Sequence, residues 1–453
     1  MTPVSQRGER KRMRTVAIAS FIGALMEWYD FFLFGTASAL VFGPVFFPDA
    51  EPTVGTLAAF ATFGVGFVAR PLGGVVFGHF GDRVGRKSML VITLMIMGVG
   101  TFAIGCLPDY EQIGIAAPIL LVVFRLAQGL GLGGEYAGAA LMTIEHAPEA
   151  RRGFWGSLPQ AAASGGILLS TGAFALVSQL DRAELLSWGW RLPFLVSIML
   201  LGVGLVIRLK VSESPEFERT AAERKRNNSG KQPIPLLQVF RKHPRNLLLA
   251  FGARLGETVT SNAINAFGIY YVSTHVGVAE STALNGMLLA SVIGLVTVPI
   301  IGALSDRIGR RRIYLAGSVF GVVFAVPFFL MLDSGSIPII TLAFVIAYVF
   351  VPTMMFAVQS TFFSELFGAD VRYTGLSLAY QVSAIAGGYV PAVATSLLVA
   401  GGGEPWLVAA VFAVVCLVTT ACVLLVAHRP AGAAADSAAE TADRPETTGE
   451  RIS

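Results

Sequence analysis

Twelve apolar runs of roughly 20 residues or more divide the chain, at 15–43, 54–80, 88–108, 113–143, 153–180, 188–210, 246–275, 281–304, 312–332, 337–364, 373–400 and 405–427. A helix of about 20 apolar residues spans the hydrocarbon core of a bilayer and satisfies its own backbone there, whereas barrel strands would be about ten residues long and alternating. The pattern predicts an all-α polytopic membrane protein with twelve transmembrane helices. Small residues one turn apart (Gly74 with Gly78, Gly129 with Gly133, Gly134 with Gly138) suit close helix contact.

The polar breaks repeat. GHFGDRVGRK, from Gly78 to Lys87, returns 224 residues later as GALSDRIGRR, from Gly302 to Arg311. Glu145 with Arg152 is matched by Glu365 with Arg372 at an offset of 220. Internal repetition at half the chain length, in a membrane protein, is how secondary transporters are built. The expected division is a basic N-terminal segment at 1–14, a six-helix bundle at 15–210, a linker at 211–245, a second six-helix bundle at 246–427 and a disordered tail at 428–453. The linker is charged and contains proline, and its PLLQVFRKH stretch could lie as an interfacial amphipathic helix. The tail is dominated by Ala, Asp, Glu and Thr without aromatic residues.

Composition agrees: 54% of residues are hydrophobic, 14% charged, and the mean hydropathy is +0.68. Lysine and arginine collect on alternate connections, at Arg7, Arg10, Lys11, Arg12 and Arg14, then Arg83, Arg86 and Lys87, then Arg151 and Arg152, the linker, and Arg307 to Arg312, while the other side offers only Arg182 and Arg191. The positive-inside rule then places both termini in the cytoplasm of a cell membrane. The net charge of +4 comes from this asymmetry and gives no support to nucleic-acid binding. The first apolar run is too long for a cleaved signal peptide. Cys106, Cys416 and Cys422 stand singly in apolar runs and read as packing residues, and Trp188, Trp190 and Trp406 fall where an aromatic belt belongs.

Ionisable residues inside spanning helices are costly and carry the strongest functional signal in such a chain. Glu27 and Asp30 stand one turn apart on one face of span 1; span 2 has Arg70, span 4 Arg125 and Glu135, and span 7 Arg254 and Glu257. Asp30, Glu27, Arg125 and Glu135 are candidates for proton coupling, because a desolvated carboxyl binds its proton more readily and a nearby arginine opposes this. The plainer reading is a static buried ion pair with Arg125 or Arg70. Arg125 could equally clamp a substrate carboxylate or tie span 4 to span 1. Arg254 and Glu257 sit at a matching depth in the second half and could complete the same cavity. Tyr29, Tyr136, Gln160, Asn262, Asn265, Gln359, Tyr380 and Gln381 could line it, or could only join helices by hydrogen bonds.

The repeated loops lie at the membrane edge, which suits a gate better than substrate contact. Asp82 and Asp306 can cap a helix or meet an arginine, and Arg83, Arg86, Arg307 and Arg310 hold that face. Glu145, Arg152, Glu365 and Arg372 are the expected partners, with Arg83 meeting Glu145 and Arg307 meeting Glu365. GLGLGG at Gly129 to Gly134 fits a dinucleotide-binding pattern, but no strand precedes it and helix packing explains it better. No Ser/His/Asp set, zinc spacing or Walker loop is present, so neither an enzyme nor an ATP-driven pump is expected, and no metal or cofactor.

EWYDF at Glu27, GHFGDRVGRK at Gly78, RLAQGLGLGGEYAG at Arg125, WGWRLPF at Trp188, ESPEF at Glu213 and RYTGLSLAYQ at Arg372 together resemble the metabolite:proton symporter family of the major facilitator superfamily. Within it, GTLAAFATFGVGFVARPLGG from Gly55 and FFSELFGADVRYTG from Phe362 are most similar to the shikimate branch, and the α-ketoglutarate, citrate and proline or betaine branches share the framework. The tail lacks the coiled-coil heptads of the osmosensing proline/betaine branch. The resemblance implies two pseudo-symmetric six-helix bundles, alternating access, and uptake of a small organic acid or zwitterion together with a proton by a monomer. It also implies coupling roles for Asp30 and Arg125. A proton-driven exporter and a non-transporting sensor of the same fold are the alternatives. An exporter would favour a Gly-Pro pattern in span 5, where GFWGSLPQAAASGG has none; a sensor would be expected to lose its midplane charges or gain a signalling domain.

Overall fold

A computed structural model of the chain describes residues 3–84, 86–133, 143–144, 147–210, 241, 243–367 and 372–426, with the side chains of 3–17, 19, 78–84, 86–88, 90, 207–210 and 372–373 outside the description. Among the described residues there is no strand. Among the same residues twelve long helices follow the twelve apolar runs: α1 (Pro3–Leu40), α2 (Pro52–Val84), α3 (Arg86–Gly105), α4 (Ala116–Leu132), α5 (Arg152–Val177), α6 (Arg191–Lys210), α7 (Pro244–Asn262, carried on to His275), α8 (Glu280–Ile308), α9 (Arg310–Asp333), α10 (Ile337–Tyr348, carried on to Ser364), α11 (Arg372–Ala400) and α12 (Trp406–Leu425). Eight helical segments among them are long and apolar enough to cross a membrane, and Val91–Gly105 in α3 and Ala116–Leu132 in α4 are shorter apolar helices. Helices α1 and α7 complete the set, and they carry Glu27, Asp30, Arg254 and Glu257.

The two halves meet along two long seams, α5 against α8 and α2 against α11. Under the sequence repeat α2 corresponds to α8 and α5 to α11, so these seams are one contact built twice. Glycine makes the packing close. A Cβ on Gly302 would stand 2.7 Å from the Gly153 carbonyl oxygen, and one on Gly129 would run into the Gly66 carbonyl across the α2–α4 seam. The GLGLGG segment therefore begins as a helix-packing surface. Gly309 has a different task, ending α8 at φ 96°, a conformation that side chains with a Cβ seldom adopt.

Two helices lose regular winding near the middle of the protein. In α7, the Asn262 and Asn265 amides donate to the Thr258 and Ser261 carbonyls, at 2.8 and 2.9 Å, where the ladder widens into a π turn over Ala263–Phe267. In α10 a π turn over Val349–Thr353 contains Pro352, which has no N–H to donate. Trp188 and Trp406 are half exposed, as an aromatic belt requires. Trp190 is not part of it: the indole is fully buried against Phe42, Phe46 and Phe194. Cys416 is buried as expected, whereas Cys106 is exposed.

Candidate functional site

The first half gathers its buried charges between α1, α2, α3 and α4. Asp30, Arg70, Arg125 and Gln128 line a narrow cleft together with Phe31, Phe67 and Met97. Arg125 is 4% exposed and Asp30 8%. Aromatic residues spaced along α1 and α2 surround the guanidinium of Arg125, with Phe34 at 4.3 Å and Phe63 at 5.0 Å, where a cation is attracted to the ring faces. Its Nη1 donates to Gln128 Oε1 at 3.2 Å, and Gln128 Nε2 donates to Thr101 Oγ1 at 2.7 Å. The Thr101 hydroxyl in turn donates to the Met97 carbonyl at 3.1 Å. Asp30 shares the cleft with Arg125 and Gln128. Glu27, half buried, neighbours both Asp30 and Arg70.

The second half contributes Arg254 and Glu257, 3.6 Å apart and both buried. Arg254 Nη1 donates to the Tyr380 carbonyl and to Ser383 Oγ, each at 2.8 Å. Its guanidinium lies 3.4 Å from the centre of the Tyr380 ring, and that of Arg70 from the first half lies 5.6 Å from the same ring. Arg70 Nε also donates to Gln381 Oε1 at 3.0 Å, and Gln381 Nε2 donates to the Gly133 carbonyl at 2.9 Å. The Tyr380 ring of α11 therefore meets arginines of both halves, and the Gln381 amide ties α11 to the first half. Gln359 on α10 is fully buried, and among the described residues both ends of its amide lack a hydrogen-bond partner, as do Arg254 Nε and Glu257 Oε2.

Not every candidate turns toward this region. The Tyr29 phenol donates to the Pro193 carbonyl at 2.6 Å and so ties α1 to α6. Asn262 and Asn265 serve their own helix. Gln160 is buried on α5. Glu135 and Tyr136 lie outside the described residues. Thr101, Gln128 and Ser383 join the site without having been candidates. Gln128 stands one turn after Arg125, a spacing that signals a shared face, whereas a lone threonine or serine in an apolar run carries no such mark.

The end bearing the basic loops is bridged by the second copy of the repeat. Asp306 accepts from the Gly153 and Phe154 amides at 2.7 and 3.0 Å, capping α5 of the other half. Glu365 pairs with Arg310, which also lies 3.5 Å from Asp306; Arg307 is exposed and has no salt-bridge partner among the described residues. The reason is positional: the turn at Gly309 starts α9 with Arg310 facing the end of α10. Arg152 pairs with Glu149 at 3.4 Å. Glu145 and the side chains of Asp82, Arg83, Arg86 and Arg372 lie outside the description. At the opposite end Arg182 meets Glu280 at 3.0 Å, again between halves. Asp306→Ala is expected to remove about 1 kcal/mol of cap energy and to move the open–closed balance at the basic end roughly fivefold toward open. Distances between spin labels on the two halves would report this, and an unchanged distribution would show that the cap does not hold the halves together.

Comparison with known proteins gives the same picture. The family model described as "Sugar (and other) transporter" matches residues 15–235 and 216–433. The chain is 42% identical over 416 residues to the shikimate transporter of Escherichia coli K12, covering 91% of this chain and 94% of that one. It is 35% identical over 437 residues to the proline/betaine transporter of the same strain, covering 95% and 87%. Among solved structures, a major facilitator proton:xylose symporter superposes with a TM-score of 0.70 at 17% identity, covering 92% and 95%. The chain belongs to the sugar (and other) transporter family, with the twelve-helix fold of the major facilitator superfamily, and is a membrane transporter rather than an enzyme.

Proposed function

We propose that this transporter takes up a small carboxylate-bearing metabolite together with a proton, by alternating access between its two halves. The observation that carries the reading is the cluster of buried arginines, Arg70, Arg125 and Arg254, gathered from both halves with Asp30 and Glu257 beside them. Charges this dry are expensive unless they have a task. A carboxylate seated between Arg70 and Arg254 would touch both halves at once, so closing around it rewards binding on either side. Asp30 is the proton site in this reading, Arg125 the neighbouring cation, and Gln359, Gln160 and Tyr380 line the substrate space. Asp306, Arg310, Glu365 and Arg152 act at the cytoplasmic gate, with both termini on that side and a single chain as the working unit. The likeness to a shikimate transporter favours a hydroxylated cyclic acid over a zwitterion.

Counterflow in proteoliposomes tests the reading with a panel of shikimate, α-ketoglutarate, citrate, proline and glycine betaine. Exchange of at least one of the acids, strongest for shikimate, is expected. Exchange of none would overturn the importer assignment, and exchange of proline or betaine alone would move the substrate class to zwitterions.

A further inference from the structure

Buried polar groups on α7 and α10 are left with hydrogen-bonding capacity to spare. Among the described residues, Arg254 Nε, Glu257 Oε2 and both ends of the Gln359 amide lack a hydrogen-bond partner, and Gln359 exposes no surface. An amide in that condition is costly, because each unmet donor or acceptor has given up water without replacement. Surrounding contacts bring these groups to one level. Phe356, Gln359 and Phe363 follow one another on α10 at helical spacing and share a face. On one side of Gln359, Phe356 packs in a buried cluster with Tyr380, whose ring carries the Arg254 guanidinium. On the other side, Phe362 and Phe363 pack against Tyr314, whose hydroxyl donates to the Ala253 carbonyl at 3.0 Å. As an odd and an even span, α7 and α10 run in opposite directions. One turn back from Phe363 therefore matches one turn on from Ala253, and Gln359 comes level with Glu257.

We infer that Gln359 and Glu257 form a subsite that reads two neighbouring hydroxyl groups on the transported acid. A primary amide presents an acceptor and a donor side by side. A vicinal diol matches it: one hydroxyl donates to Gln359 Oε1, while its neighbour accepts from Nε2 and gives its own hydrogen to Glu257 Oε2. Every group left over in the dry gap between α7 and α10 is then used, except Arg254 Nε, which can donate to a remaining hydroxyl lone pair. A carboxylate does not fit this place, since it has no hydrogen for the amide oxygen and would face Glu257 with like charge. A quaternary ammonium offers neither donor nor acceptor. The substrate carboxylate belongs instead with Arg70 and Arg254, which meet at the Tyr380 ring that Phe356 packs beside. A buried site built to bond hydroxyls rejects analogues that lack them, because its own polar groups are then left unpaired. The inference rests on the proposed uptake of a hydroxylated acid and adds the place where its hydroxyl end is recognised.

Isothermal titration calorimetry on the full-length protein in lipid nanodiscs tests this with two acids of the same ring and carboxylate: shikimate, which carries adjacent hydroxyls, and the cyclohexene carboxylate that lacks them. The parent should bind shikimate at least about tenfold more tightly than the hydroxyl-free acid. Gln359→Leu should weaken shikimate by about 10- to 100-fold and move the hydroxyl-free acid by less than about twofold. Gln359→Met, closer to glutamine in length, carries the comparison if the leucine variant does not fold. Equal weakening of both acids, or of neither, overturns the subsite and leaves Gln359 a packing residue or the partner of a water. A parent protein that does not distinguish the two acids overturns it as well, without need of a variant. Binding of neither acid by the parent overturns the reading of the substrate as a hydroxylated cyclic acid, and the subsite with it.

Discussion

Asp30→Asn is expected to keep exchange of substrate between the two sides of a proteoliposome and to lose accumulation driven by a pH gradient. The substitution keeps nearly the same volume and a hydrogen-bonding oxygen in a buried site, so the cleft that Asp30 shares with Arg125 and Gln128 keeps its shape. What it removes is a group able to arrive protonated and leave ionised. For one proton per substrate, each pH unit of gradient supports up to about tenfold accumulation, so a gradient of two units separates a coupled carrier from an uncoupled one by about two orders of magnitude. The variant should equilibrate the substrate to equal concentrations inside and out. Accumulation at the wild-type ratio would remove Asp30 from the coupling step and leave it a structural member of the first-half cleft.

Much of this arrangement is legible in the amino-acid sequence itself. The helices are legible because each apolar run is long enough to satisfy its backbone alone, and Ile337 to Ser364 in α10 emerges with its expected limits. The midplane charges are legible because burial of Asp30, Arg125, Arg254 or Glu257 is too costly to be accidental. Rotation of the helices is not legible. Hydrophobic periodicity gives a strong signal only where one face meets water, and a helix surrounded by lipid and other helices is apolar all round. This is why Tyr29, adjacent to Asp30 in the chain, turns instead to the Pro193 carbonyl, and why Trp190, at a helix end, packs into the core beside Phe42 rather than joining the aromatic belt. The same limit governs the gate: the repeat marks Arg307 and Arg310 equally, and only the turn made by Gly309 decides that Arg310 reaches Glu365.

The second large effect concerns Arg254 and Glu257, where stability and transport should separate. Removing one partner, as in Glu257→Gln or Arg254→Met, leaves a buried charge without its counter-ion and is expected to cost about 3–5 kcal/mol of stability. Removing both, as in Arg254→Met with Glu257→Leu, should return thermal stability close to the parent, because a buried pair replaced by apolar groups of similar volume is often neutral or better. Transport should not return with it. The pair is loose, at 3.6 Å, and Arg254 Nε and Glu257 Oε2 lack hydrogen-bond partners among the described residues, so it is poorly optimised as a structural tie and leaves capacity for a third group. Loss of a charge-assisted contact to a substrate carboxylate should lower uptake on the order of a hundredfold in the double variant even when the protein is as stable as the parent. Thermal melts and uptake on the same reconstituted samples decide the matter. A double variant that is stable and still transports at the parent rate would make the pair a tie between α7 and its neighbours, and would shift the substrate carboxylate to Arg70 and Arg125, which line the first-half cleft with Asp30.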